Sequence, residues 1–272
     1  MLYISLCLAW IAAVTLSSTA ALASDIPAAS SPAPYTVPNR SHDIELEIGG
    51  GAVVQPAYEG AREYEISPTG IFTLHYLWLP GLGVVKDGVT KEGFSFGPSF
   101  RYLSKRESNE YSDLRGLNDV NASFEVGGKF AYTFGVFRPW VAVRRGFGGH
   151  EGIVGETGLD LVVRPNLVTE ITFGPRASFA SSDYMRTYFG VTPQESSVAR
   201  LGPYAPSGGF KGAGAELGVR YEFSPEWALV GLLAYERLIS DAAKSPIVQV
   251  GDPNQITAKL GLTYRFALKL FR

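Results

Sequence analysis

Charge recurs at alternate positions along much of this chain, and those charges are the first residues to weigh as chemistry. Glu45, Glu47, Arg101, Glu125, Lys129, Glu156, Asp160, Glu170, Arg176, Glu216, Arg220, Glu222, Lys259 and Arg265 form the set, most of them set between apolar neighbours. Both signs are mixed, so the set reads first as side chains that pair with one another in an enclosed space, because a buried charge must find a partner. As rings around an open pore the same residues would select ions. Three histidines, His42, His75 and His150, complete the titratable inventory near neutral pH. A hydrolase would need a serine nucleophile, a histidine base and an orienting group within hydrogen-bond reach. No motif marks a serine beside either His75 or His150, so no catalytic residue is expected. No His/Asp/Glu group has metal-ligand spacing, and no metal or cofactor is expected. Cys7, the only cysteine, lies in the apolar N-terminal run, too early for a lipoprotein-type cleavage site, which leaves no thiol for a disulfide or a nucleophile. The formal net charge of -2 gives no basic surplus to favour nucleic acid.

The elements that must position these charges show a two-residue period. Phe94, Phe96, Pro98, Phe100 and Tyr102 alternate with Ser95, Gly97, Ser99 and Arg101, and residues 122–134 repeat the pattern with Phe124, Val126, Phe130, Tyr132 and Phe134 on the apolar side. Successive strand side chains point to opposite faces, so each segment is greasy on one side and wet on the other. Such runs reach or exceed the roughly 9–11 residues that a tilted strand needs to cross a bilayer. The expected fold is all-β, a transmembrane antiparallel barrel of about 12 strands. Eleven segments are visible, and a barrel with both ends on one side requires an even number. One bent strand over residues 67–86 would give ten. A strand missed within 103–120 or 181–209 gives twelve, the expectation adopted. Residues 105–116 read as an exposed charged loop, and 181–209 as the largest loop, folded over a barrel mouth. Trp78, Trp140, Trp227, Tyr76, Tyr235 and Tyr264 suit an aromatic girdle at the membrane boundary. Short connections at 164–166 and 224–225 point to the periplasmic end.

Residues 1–23 read as a secretory signal peptide: an apolar run from Leu2 to Leu16, then Ala21-Leu22-Ala23 as a small-x-small cleavage pattern. The n-region lacks Lys or Arg. Residues 24–42, with Pro27, Pro32, Pro34 and Pro38 among Ala and Ser, read as a flexible lead-in, and 43–272 as the barrel domain.

Several local words carry a resemblance. Tyr58-Glu59-Gly60, Gly149-His150-Glu151-Gly152, Tyr188-Phe189-Gly190-Val191, Ser207-Gly208-Gly209 and the run from Arg237 to Val248 resemble those of the MltA-interacting protein (MipA/OmpV) family of outer-membrane proteins. The most specific piece is Asp241-Ala242-Ala243-Lys244-Ser245-Pro246. The likeness spans about Ile44 to Phe266, with two departures. Lys244 stands where the family word carries an acidic residue, and Ala267 to Arg272 extend the chain past the usual terminal aromatic. The resemblance implies a barrel in the outer membrane of a Gram-negative cell, surrounded by its lipid. It also implies a non-enzymatic scaffold that docks a lytic transglycosylase and a penicillin-binding protein; other relatives are porin-like or adhesive. The alternatives to a scaffold are a small-solute channel and, third, a lipid-acting barrel enzyme. Asp241, Ala242, Ala243, Ser245 and Pro246 are candidates for a docking or lid loop, or equally for local turn chemistry. Arg101, Glu125, Lys129, Glu170, Arg176, Glu216, Arg220, Lys259 and Arg265 are the candidate lumen charges.

Overall fold

The computed structural model describes residues 42–81, 83–86 and 92–271. The expected signal peptide with Cys7, and the lead-in up to residue 41, lie outside the described residues. The strands are β1 (Ile44–Pro56), β2 (Tyr64–Leu79), β3 (Gly83–Lys86), β4 (Gly93–Leu103), β5 (Ser123–Thr133), β6 (Phe137–Gly148), β7 (Ile153–Val163), β8 (Thr169–Ala180), β9 (Gly209–Glu222), β10 (Trp227–Leu238) and β11 (Asn254–Leu268). Helices α1 (Ser182–Phe189), α2 (Pro193–Val198), α3 (Ser240–Lys244) and α4 (Pro246–Val250) lie in the connections.

Each long strand pairs antiparallel with its sequence neighbour except β2 with β4, and β1 pairs with β11 from Ile44 opposite Leu268 to Val54 opposite Ala258. Ten long strands thus form the wall, the lower of the two even counts, and β3 is a four-residue appendage on the end of β2. Residues 103–120 and 181–209 hold no additional long strand: the first carries a helical turn at Ser112–Leu114, and the second carries α1 and α2. The sheet order begins at β3 and β2 and ends at β4. Across that seam the Phe72 and Phe100 rings meet edge to face at 6.1 Å, and Ser104 Oγ donates to Glu65 Oε1 at 3.4 Å.

The alternation sorts the side chains as the period requires. Phe94, Phe100, Phe124, Phe130, Phe173, Leu229 and Leu262 are exposed on the outside. So continuous an apolar belt would be an aggregation hazard in water and is the matched surface in lipid. One rim carries the short turns and both described ends of the chain. There Asp43 is fully buried and its Oδ2 accepts the amides of Leu270 and Phe271 at 2.7 and 2.6 Å, so the C-terminal extension is tied to the first strand.

The opposite rim is closed by a cap built from residues 57–63, 104–122, 149–152, 181–208 and 239–253. Its core contains Leu114, Tyr184, Met185, Phe189 and Ile247, each almost fully buried. Helix α1 buries Tyr184, Met185, Tyr188 and Phe189, an i, i+1, i+4, i+5 set that lies along one helical face. Helix α2 begins with a capping box in which Thr192 Oγ1 accepts the Glu195 amide while Glu195 Oε2 accepts the Thr192 amide. Residues 105–116 are therefore not a free loop: Leu114 is fully buried, and Arg106 and Ser108 are nearly so. Lys105, Glu110 and Arg115 face outward, while Leu114 and the buried part of Arg106 anchor the segment in the cap.

Candidate functional site

The inward charges fall into three clusters. At the short-turn rim, buried Glu47 on β1 accepts Arg220 Nη1 and Nη2 at 2.7 and 2.8 Å, and His75 Nε2 lies 2.7 Å from the oxygen that takes Nη2. Glu222 bridges Arg220 and Arg265, at 3.0 and 2.9 Å. The second cluster centres on Asp160 of β7, which takes Arg138 Nε at 3.1 Å, Trp140 Nε1 at 3.1 Å and Arg176 Nη2 at 2.7 Å. Arg176 also pairs with Glu216 at 3.0 Å, and Glu170 pairs with Arg164 at 2.6 Å and Arg138 at 3.4 Å.

The third cluster lies directly under the cap. Glu125 is fully buried and accepts both Arg101 Nε and Nη2 at 2.9 Å and Arg144 Nε at 3.0 Å, while Arg144 also reaches Glu156. Bidentate guanidinium pairing of this kind is the strong form of a charge-assisted hydrogen bond. Arg101 Nη2 donates to Tyr184 Oη at 3.1 Å, and Tyr184 in turn donates to Glu59 Oε1 at 2.5 Å. Lys211 Nζ meets the same Glu59 oxygen at 2.8 Å. The cluster thereby joins the barrel wall to two cap loops. Burial by itself would raise the Glu59 carboxyl, but Lys211 and Arg101 nearby, with hydrogen bonds from Lys211 and Tyr184, hold it below the ordinary carboxylate value. Burial, and then the Glu59 charge, push the Tyr184 phenol well above its usual value.

Of the candidate lumen charges, Arg101, Glu125, Glu170, Arg176, Glu216, Arg220 and Arg265 all stand in ion pairs. Lys129 and Lys259 face the lumen without an ion pair among the described residues. Lys129 Nζ sits 3.9 Å from the centroid of the Trp140 ring, with the Arg176 guanidinium at 4.9 Å from the same ring. Trp140 is therefore a buried lumen residue and not part of a girdle, because its indole N–H has a carboxylate to meet inside. Trp227, Tyr235 and Tyr264 do face outward. Tyr76 is buried with its ring 5.5 Å from that of His42. Sequence reasoning missed Arg138, Arg144, Lys211 and Glu59. The first two share the inward phase of β6 with Trp140 and Ala142, a signal hidden by the apolar residues around them. Lys211 turns inward beside a register shift between β8 and β9, which no periodicity reveals.

The His150 ring is held between a backbone amide and a wall carboxylate. Its Nδ1 accepts the Gly152 amide at 3.2 Å, which places the proton on Nε2, 3.2 Å from Glu125 Oε1. Nε2 faces that carboxylate without an aligned hydrogen bond, and the side chain is fully buried. Gly146 makes room for it: a Cβ at that position would lie 2.0 Å from the His150 ring.

The loop containing Asp241, Ala242, Ala243, Ser245 and Pro246 lies inside the cap. Ser245 is fully buried, donates from Oγ to the Phe189 carbonyl at 2.7 Å and accepts the Ile247 amide at 3.2 Å, capping α4 at Pro246. Asp241 accepts the Ser207 amide at 3.1 Å through its side chain and the Tyr204 hydroxyl at 2.8 Å through its carbonyl. Ala242 is fully buried, and Ala243 is partly so. Lys244 is exposed and pairs with Asp241 at 3.2 Å, so the departure in charge is absorbed locally. The other words that carry the resemblance, around Glu59, His150, Phe189 and Ser207, fall in the same cap.

A β-barrel with a charged interior, a lipid-matched outer belt and one packed mouth is a membrane-spanning barrel protein. Residues 48–266 match the family model described as MltA-interacting protein MipA, and the chain belongs to that family. No curated protein matches the chain. Among solved structures, the chain is similar to an outer membrane channel from Pseudomonas putida F1, with 10% identity over 85% of this chain and 100% of that one, at a TM-score of 0.43. It is also similar to the NanC porin, with 7% identity over 84% and 100%, at 0.35. A third is Neisserial surface protein A, with 10% identity over 83% and 97%, at 0.27.

Proposed function

We propose that this protein is a non-enzymatic scaffold of the Gram-negative outer membrane that engages its partner through the short-turn rim. The observation that carries this reading is the cap: one mouth is filled by a packed apolar core, tied to the Arg–Glu pairs that line the wall beneath it, leaving the rims as the working surfaces. Short turns and chain ends belong to the periplasmic side of such barrels, and a signal peptide cleaved after Ala23 would leave residues 24–42 there. The family description names interaction with MltA, a lytic transglycosylase, which is the partner expected at this rim. A penicillin-binding protein is the second expected partner. The Asp241 to Pro246 word lies at the opposite rim and serves the cap, so docking falls to the turns. Leu167, 96% exposed at the tip of the turn between β7 and β8, leads that surface, with Val136 and Phe223 on neighbouring turns. Mild detergent extraction of the tagged protein is expected to enrich a lytic transglycosylase over an unrelated barrel, and Leu167→Asp to reduce that enrichment several-fold with the barrel still folded. Equal recovery with both baits would remove the support for a scaffold.

A second reading, a small-solute channel, is favoured by the two lumen lysines without ion pairs and by a cavity of about 150 Å³ lined by Arg101, Glu156, Arg176, Lys211, Glu216 and Glu236. It requires the cap to move.

A further inference from the structure

The outward faces of the ten long strands carry two charged residues, Arg145 on β6 and Arg237 on β10. Both are exposed, both are cationic and both stand near the capped ends of their strands, while every acidic residue of those strands has the inward phase. Arg237 Nη1 donates to Asn254 Oδ1 at 2.8 Å, which holds it at the rim. Arg145 has no ion pair and no side-chain hydrogen bond among the described residues. The acid next after it in sequence, exposed Glu151, lies in the connection beyond the strand end and does not pair with it. The guanidinium donors of Arg145 are therefore all free, and they open to the outside of the barrel.

The surroundings of Arg145 are apolar. Val126 and Ile153 lie directly opposite it on the neighbouring strands, and Val143 and Phe147 flank it on the same face of β6, all four exposed. Phe147 is nearer the rim, and the register sets exposed Phe124 and then Tyr102 beside it. Arg145 thus enters the wall about 7 Å along the strand on the bilayer side of an aromatic row of the kind that marks a membrane boundary. A cation on the lipid face is costly in proportion to its depth, and the cost falls when its long side chain carries the head back to the interface and an anion meets it there. At that level the matching anion is a lipid phosphate, which a guanidinium binds through two parallel hydrogen bonds. We propose that Arg145 and the apolar side chains around it form a contact site for lipid A, the phosphate on the guanidinium and the acyl chains on Val126, Val143, Ile153 and Phe147. The apolar surround favours a lipid over a free phosphate. The confinement of both outward cations to the capped end selects the outer leaflet, whose anionic lipid is lipid A. That choice of leaflet rests on the reading that the short-turn rim is periplasmic.

The test is a native mass-spectrometric titration of the full chain, folded in detergent micelles, with bisphosphorylated lipid A, the same lipid stripped of its phosphates, and phosphatidylglycerol. Saturable retention of lipid A is expected, with the stripped lipid and phosphatidylglycerol weaker. Arg145→Gln should weaken lipid A about fivefold at unchanged heat-modifiability on gels. Lys269→Gln, which removes an exposed cation at the short-turn rim, should leave lipid A binding as it was. Equal retention of the stripped lipid, or an equal loss in the two variants, would overturn the site. A preference for phosphatidylglycerol that Arg145→Gln removes would overturn the choice of lipid. Labelling of Glu151→Cys by a membrane-impermeant maleimide in intact cells checks the orientation separately. Labelling is expected; its absence would place the cap in the periplasm and overturn the assignment through its leaflet, whereas labelling without an Arg145 effect would fault the site alone.

Discussion

At the scale of the residue, Glu59 and Glu125 show how this barrel places charge. Each carboxylate is surrounded by donors it cannot lose singly, since removing one member of a buried pair strands the other. Glu125 holds Arg101, Arg144 and His150 in the wall. Glu59 comes from a cap loop and collects Tyr184 and Lys211, so it reports on the closed cap. Its carboxyl is held below the ordinary value, and the sign follows from linkage. The stabilisation is present above the unfolded carboxylate pKa and is lost as pH falls through the folded one. Pepsin cleavage within residues 181–208 is therefore expected to rise steeply as pH drops below about 4. Glu59→Gln should be nicked faster near pH 4–5 and flatten that acid response; identical profiles would show that Glu59 does not hold the cap. Lys129 and Trp140 make a different point. A tryptophan two positions from Ala142 on the inward phase of β6 reads as a girdle residue by type and as a lumen residue by phase, and phase decides.

At the scale of the element, the cap is a small folded unit made of connections. The Ser245 hydroxyl ties α4 to the end of α1 through the Phe189 carbonyl and also caps its own helix. Ser245→Ala removes both bonds and leaves a buried carbonyl unpaired, which should loosen the cap by about 1–2 kcal/mol. Limited proteolysis at neutral pH is expected to cut the cap of that variant faster while the folded barrel band persists. If the whole band is lost at the same rate, cap and wall unfold together. The strands were legible because their period is two and their inward and outward residues differ in kind. The cap was legible only as a failure of that period. Tyr184, Met185, Tyr188 and Phe189 do carry a helical repeat, but over eight residues it is too short to stand out from a Tyr-rich loop.

At the scale of the whole molecule, closure governs function. With one mouth packed and the lumen lined by ion pairs, the intact protein in a planar bilayer is expected to show no steady conductance at neutral pH. Brief openings are expected once the cap is loosened by Ser245→Ala. Lys129 and Lys259 should then bias the reversal potential towards anions. A steady open state in the unaltered protein would make the channel the primary function. The chain's alternation by itself determined the barrel, the inward charge set and the apolar belt, because each follows from side chains pointing to opposite faces of a strand. Strand number was expected at twelve with ten as the alternative, and it is ten, since a connection of 18 or 29 residues can hold a strand or a cap equally well. Only tertiary structure decided that those connections pack on one another, that Arg106 and Lys211 turn inward from irregular backbone, and that the Asp241 to Pro246 word packs inside the cap. Those outcomes depend on contacts between segments up to about two hundred residues apart in sequence, such as Gly60 with Gln255, which no local period encodes.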